Sequence, residues 1–153
     1  MNFYYEITIA GSKDVIEFKP AGDNDAITGV DFMFNSDDNT RDRDKNGRVE
    51  FKVYGKFNDA KDTFKSIGAL ANWAKSKKDI YRTVTISIRT KEGELGDNFI
   101  RTFRFDKVFC IDYTEQFRDS ELTFELFMAQ APTFSTDEAI ANIDTRDPNQ
   151  EES

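Results

Sequence analysis

Histidine is absent from the chain, and cysteine occurs once, at Cys110. The first absence removes the commonest general base and the commonest transition-metal ligand. The second rules out an internal disulfide. Cys110 lies inside a predicted strand and reads as a small buried hydrophobe, because a reactive thiolate needs an activating neighbour. Ser12, Ser66 and Ser87 are the other candidate nucleophiles, and none sits in a G-x-S-x-G elbow. Glycine-rich phosphate loops are missing, and no pair of carboxylates is marked by its surroundings for acid–base work. The sequence therefore predicts no catalytic residue, no cofactor and no resident metal. No apolar run is long enough to span a bilayer. MNFYYEITIA begins as a strand, not as a basic segment followed by an apolar one. The expectation is synthesis in the cytosol and, if the protein leaves the cell, export without a cleaved signal.

Positive charge is also scarce. The net charge is -8, and residues 133–153 contribute -5 of it through Asp137, Glu138, Asp144, Asp147, Glu151 and Glu152 against Arg146. The remaining body, at -3, lacks the basic patch that phosphate backbones and anionic membranes need. Neither nucleic acid nor membrane is an expected partner.

Aromatic residues are plentiful: 15 Phe and 5 Tyr, side chains that suit sheets and bury much area each. Alternation of apolar and polar residues marks strands. Phe3, Tyr5, Ile7 and Ile9 define the first, Val15 to Lys19 the second, and Val30, Phe32 and Phe34 the third. Val49, Phe51, Val53, Gly55 and Phe57 alternate with Arg48, Glu50, Lys52, Tyr54 and Lys56 in the cleanest pattern of the chain. A helix over residues 62–77 follows, capped by Asp62 or Thr63. Its stripe is Phe64, Ile67, Leu70, Ala71, Trp73 and Ala74, and Lys75, Lys77 and Lys78 sit at the dipole's negative end. Val84, Ile86 and Ile88 mark the next strand.

From Phe99 to Pro132 the pattern is a meander that closes the domain. Phe103 and Phe105 share one parity, a kink is expected near Asp106 and Lys107, and Gln116 to Ser120 reads as a turn. Leu122, Phe124, Leu126 and Met128 then face a core. Phe127 breaks the polar row opposite them, which implies that the outer face is also covered in places. The fold class is mainly β: a small antiparallel β-barrel, or two packed sheets, of about seven or eight strands with one flanking helix. The domain spans residues 1–132. Residues 133–153 read as an acidic flexible tail, with a helical turn allowed at 139–143.

Between the third and fourth strands, Asp42-Arg43-Asp44-Lys45-Asn46-Gly47 matches the start of a calcium loop. Asp42, Asp44 and Asn46 are its weak metal candidates. The twelfth position, normally a bidentate Glu, is Val53, and two cations interrupt the acids. An exposed loop before a strand is the better reading.

The order of elements, and several stretches within it, resemble the phage tail-tube and haemolysin-coregulated-protein group. They resemble in particular the tube-like proteins of contractile-injection or tail-like clusters of Gram-positive bacteria, relatives of which are sometimes labelled membrane-associated proteases. The stretches are residues 3–9, residues 41–56 with R-x-x-D-x-x-G and Gly55-Lys56, Leu70-Ala71-Asn72-Trp73-Ala74, residues 81–85 and residues 111–115. The resemblance implies a β-barrel protomer, six copies joined by sheet edges into a ring, and rings stacked around a conduit. It implies sheath, baseplate or spike, and cargo proteins as partners. Asp37, Asp38, Arg41, Asp42, Arg43, Asp44 and Lys45 would then be contacts between rings, and Phe127, at the edge of the meander, a contact within a ring. A monomeric β-sandwich that binds carbohydrate or protein, stabilised by calcium, is the alternative.

Overall fold

The computed structural model describes residues 3–20, 25–35, 48–58, 61–90, 100–131 and 141–146. Along them run β1 (Phe3–Ala10), β2 (Val15–Phe18), β3 (Ile27–Asn35), β4 (Arg48–Lys56), α1 (Lys61–Lys75), β5 (Arg82–Thr90), β6 (Ile100–Arg118), β7 (Glu121–Gln130) and β8 (Ala141–Arg146). The hydrogen-bonded order is β2-β1-β5-β6-β7-β4-β3, with β8 added to β6. Every ladder is antiparallel. Among the described residues the protein is thus mainly β with one helix, as its alternation predicts.

Contacts between strands that are not neighbours show how the sheet curls. The ring of Phe32 on β3 stacks on Phe103 of β6 at 4.0 Å, and Phe51 on β4 stacks on Phe105 of β6 at 5.3 Å. Phe18 on β2 meets Phe124 on β7 at 5.8 Å. One coiled sheet therefore encloses one aromatic core, built from the inward rows of β1, β4, β5, β6 and β7. β3 comes near β1, where the Asp31 charge acts on Tyr5. No ladder among the described residues joins those two strands.

Helix α1 packs against β2 and β6 and buries Ile67, Leu70 and Trp73. Ser66 Oγ donates to the Glu17 carbonyl of β2 at 2.7 Å. The helix starts at Lys61, so Asp62 lies within its first turn and does not cap it. Phe64 and Ala74 are exposed. The core takes only the face centred on Ile67, Leu70 and Trp73, and Phe64 points well off that face.

The meander differs in detail from its sequence reading. β6 is one strand of 19 residues, and the expected kink is a bulge: Lys107 has φ 56° and the register with β5 slips there. A second slip lies between Cys110 and Asp112. The turn is shorter than expected, since only Asp119 and Ser120 leave the strands. Both have positive φ, 53° and 63°, the signature of a two-residue type I′ turn. The tail also departs from expectation. Ala141–Arg146 is a strand paired with β6 from Phe105 to Ile100, not a helical turn. β7 covers that edge of β6 only from Val108 onward, so β8 satisfies backbone groups that would otherwise be left open.

Candidate assembly surfaces

Several strand edges carry no ladder among the described residues, and two of them bound a single four-stranded unit. The β5 ladder stops at Val108, so the second half of β6, Cys110 to Arg118, pairs with β7 on one side only. β7 in turn pairs with β4, and β4 with β3. The second half of β6 with β7, β4 and β3 is therefore a four-stranded antiparallel unit. Its two outer edges carry no ladder among the described residues. Such rows of free N–H and C=O groups are templates for pairing with another chain. A cleft of about 400 Å³ runs beside the β6 edge, between it and α1. Ala71, Ala74, Lys75, Ile111, Tyr113 and Glu115 line it.

This topology corrects the expected place of the free edge. β7 lies between β6 and β4, so the strand carrying Phe127 offers no edge, because both sides of its backbone are used. Phe127 is half-buried on the outer face, beneath the Lys52 ammonium at 5.1 Å from its ring. The register sets it between Lys52 and Asp112. What it can offer a partner is a face.

The two most exposed aromatic side chains among the described residues lie at one end of the barrel. Phe117, beside the β6–β7 turn, is 73% exposed, and Phe64, in the first turns of α1, is 67% exposed. They are linked through Phe57 and Leu122. The Phe57 ring meets Phe64 edge-on at 5.6 Å, its N–H donates to the Leu122 carbonyl, and Leu122 lies opposite Phe117. The far end carries Phe34, Met33 and Phe3, which are also exposed.

A buried polar node holds the β1–β2 turn to the end of α1. Arg82, 7% exposed, donates both terminal nitrogens to Asp14, at 3.1 and 3.4 Å, and pairs with Asp79 at 3.4 Å. Its guanidinium lies 5.5 Å from the Trp73 ring centre. Asp79 accepts from the Ser12 N–H, and Trp73 Nε1 donates to the Ile80 carbonyl. Gly11 makes this possible: a Cβ there would fall 2.3 Å from the Asp79 carboxylate and 2.9 Å from the guanidinium carbon. Sequence reading missed the node, because Asp14 and Arg82 are 68 residues apart and nothing local marks them. It welds a turn and presents no open site.

Asp37, Asp38, Arg41, Asp42, Arg43, Asp44, Lys45 and Asn46 lie outside the described residues. Val53, the twelfth position of the would-be calcium loop, is 1% exposed in β4 and points into the core. No cluster of metal-binding side chains occurs among the described residues. Cys110 is partly buried; burial, aided by the Asp112 charge, pushes its thiol up to about 11. Cys110 is not the fully buried residue that its strand position predicts, since it also lines the cleft between β6 and α1. Tyr113 donates to Glu115 at 2.8 Å, and burial with that bond raises its hydroxyl well above the usual range. In a cleft of about 610 Å³ between β2 and α1 the serine, Ser66, is engaged by the Glu17 carbonyl. No described helix is long and apolar enough to cross a membrane.

No family model matches the sequence, and no curated protein matches it. Solved structures do. The crystal structure of an Hcp protein superposes with a TM-score of 0.57 at 13% identity, over 95% of this chain and 98% of that one. A chain of the anti-feeding prophage baseplate, solved by cryo-electron microscopy, gives a TM-score of 0.48 at 10% identity, over 94% and 93%. The match to the Hcp protein covers nearly all of both chains and establishes a shared fold.

Proposed function

We propose that this protein is a structural tube subunit, joined edge to edge with copies of itself and without catalytic activity. The observation that carries the reading is the four-stranded unit of β6, β7, β4 and β3, open at both edges among the described residues. Its two edges differ in sequence, so the contact they favour is head-to-tail, which closes into a ring when the rotation allows. Six copies, as in the tail-tube group that the sequence resembles, and stacking of the rings complete the proposal. The fold shared with the Hcp protein supports it. The raised Cys110 thiol, which leaves little thiolate at neutral pH, is in keeping with it. Residues 37–45 remain the proposed contacts between rings. Sheath, baseplate or spike, and cargo proteins of a tail-like particle are the proposed partners. Static light scattering and electron microscopy of the purified protein at rising concentration test the proposal. Rings or tubes are expected, and a monomer at every concentration contradicts it.

A further inference from the structure

The two apolar ends of the barrel make a matched pair. One holds Phe64, Phe57, Leu122 and Phe117, joined in turn by a ring contact, a backbone hydrogen bond and a strand pairing. The other holds Phe34 on β3 and Phe3 on β1. The register fixes them at opposite ends. β4 pairs with Phe34 at Val49, whereas Phe57, just past the end of β4, bonds to Leu122. Eight residues of extended chain separate these levels, about 27 Å at 3.4 Å per residue.

Exposed Phe side chains scattered singly need no explanation; a linked set that includes the two most exposed large hydrophobic residues described marks a contact surface. The Phe117 end is also stiff. It is formed by a two-residue hairpin and the first turns of a helix, so little side-chain or loop freedom is lost on docking. Phe34 is backed by the Phe32 ring, stacked at 6.2 Å and 11°, and presents a firm knob with 53% of its surface open.

We infer that the Phe64–Phe117 end of one copy receives the Phe34 end of a second copy, along the strand direction. This rests on the tube reading and adds the axial receptor to it. Symmetry decides the occupant. A two-fold contact would cover one end and leave the other exposed in every copy. A head-to-tail contact covers both ends of every interior copy with one geometry, and it propagates without closing. The contact is separate from the sheet edges, because it uses the strand ends and not their sides.

The test compares the wild type with Phe64→Lys/Phe117→Lys and with Phe34→Lys. All three substituted side chains are more than half exposed, so thermal melts and circular dichroism should match the wild type and serve as the folding control. By electron microscopy, wild type should form tubes of many rings, and each variant alone should stop at single rings. Mixing rings of the two variants should give ring doublets and nothing longer. Only one intact pair of ends then exists, the Phe64–Phe117 end of Phe34→Lys and the Phe34 end of the other variant. Variant tubes of wild-type length overturn the axial contact and leave edge-to-edge assembly standing. The absence of doublets on mixing overturns it as well. Wild-type rings that never stack overturn this inference alone, and a monomeric wild type overturns both readings.

Discussion

Gly55→Ala tests the packing of the barrel at its tightest point. Gly55 lies on β4 directly opposite Phe124 on β7. A Cβ at Gly55 would fall 2.1 Å from Phe124 Cζ, 2.4 Å from Cε1 and 2.8 Å from the Ala26 carbonyl oxygen. The ring is 2% exposed and wedged between Phe18 and Tyr113, so it cannot swing away freely. The Ala26 oxygen accepts from the Lys56 N–H at 2.7 Å, which fixes the backbone. Overpacking of a filled core costs about 1–3 kcal/mol, and two fixed neighbours place this substitution near the top, about 3 kcal/mol. For a chain of this size, about 2–4 °C is lost per kcal/mol, so the midpoint should fall by about 6–12 °C. Urea titration and thermal melts by circular dichroism measure it. Phe124→Leu in the same chain should relieve the clash, so the double variant should lose less than the two single losses combined, by about 1 kcal/mol or more. A Gly55→Ala midpoint within about 2 °C of wild type would refute the reasoning.

The remaining predictions use other parts of the fold. Gly68→Ala, at an exposed helix position with open space around the added methyl, should stabilise by about 0.8–1 kcal/mol; a loss in the same melts would count against the described helix. Asp119→Asn with Ser120→Gly places the preferred pair in the type I′ turn and should gain roughly 1 kcal/mol, since Gly meets no Cβ penalty at the positive φ of position 120 and Asn is well tolerated at that of position 119; no rise in the urea midpoint would mean a different turn. Arg82→Ala should cost about 2 kcal/mol, less than a fully buried pair because Asp14 is half exposed. Arg82→Lys should not restore it, for want of a bidentate fork; full rescue by Lys would show that charge alone matters. Cys110 alkylation should rise with pH toward about 11, and a profile inflecting at the unperturbed 9.0 would contradict the burial. The raised thiol favours the fold fully below pH 9.0, and that contribution should disappear as pH climbs from 9.0 to about 11.

Strand existence was legible because alternation reports a half-buried face directly. Val49 to Gly55 and Val84 to Ile88 show it, and the helix from Lys61 falls within two residues of its predicted bounds. Which strands pair was not legible. β1 sits beside β5, some 80 residues on, and no local signal encodes that. β8 was hidden by composition. Ala141 to Arg146 follows an acidic stretch, and it is placed by a backbone ladder to β6. Single residues misled where tertiary contacts decide. Lys107 takes a positive φ at a bulge, and Phe127, read as marking an edge, lies on a central strand because β4 joins β7 from the far side. The two open edges and the Arg82 node are properties of the pairing order and could not be read before it.

Hydrogen exchange on the assembled and unassembled protein reads the two open edges themselves. In β6 from Cys110 to Arg118, the amides that point away from β7 should exchange quickly in the monomer, as should those of β3 that point away from β4. Edge-to-edge assembly predicts that both sets become protected together when rings form. Rings that form while both sets keep exchanging at the monomer rate would contradict the account.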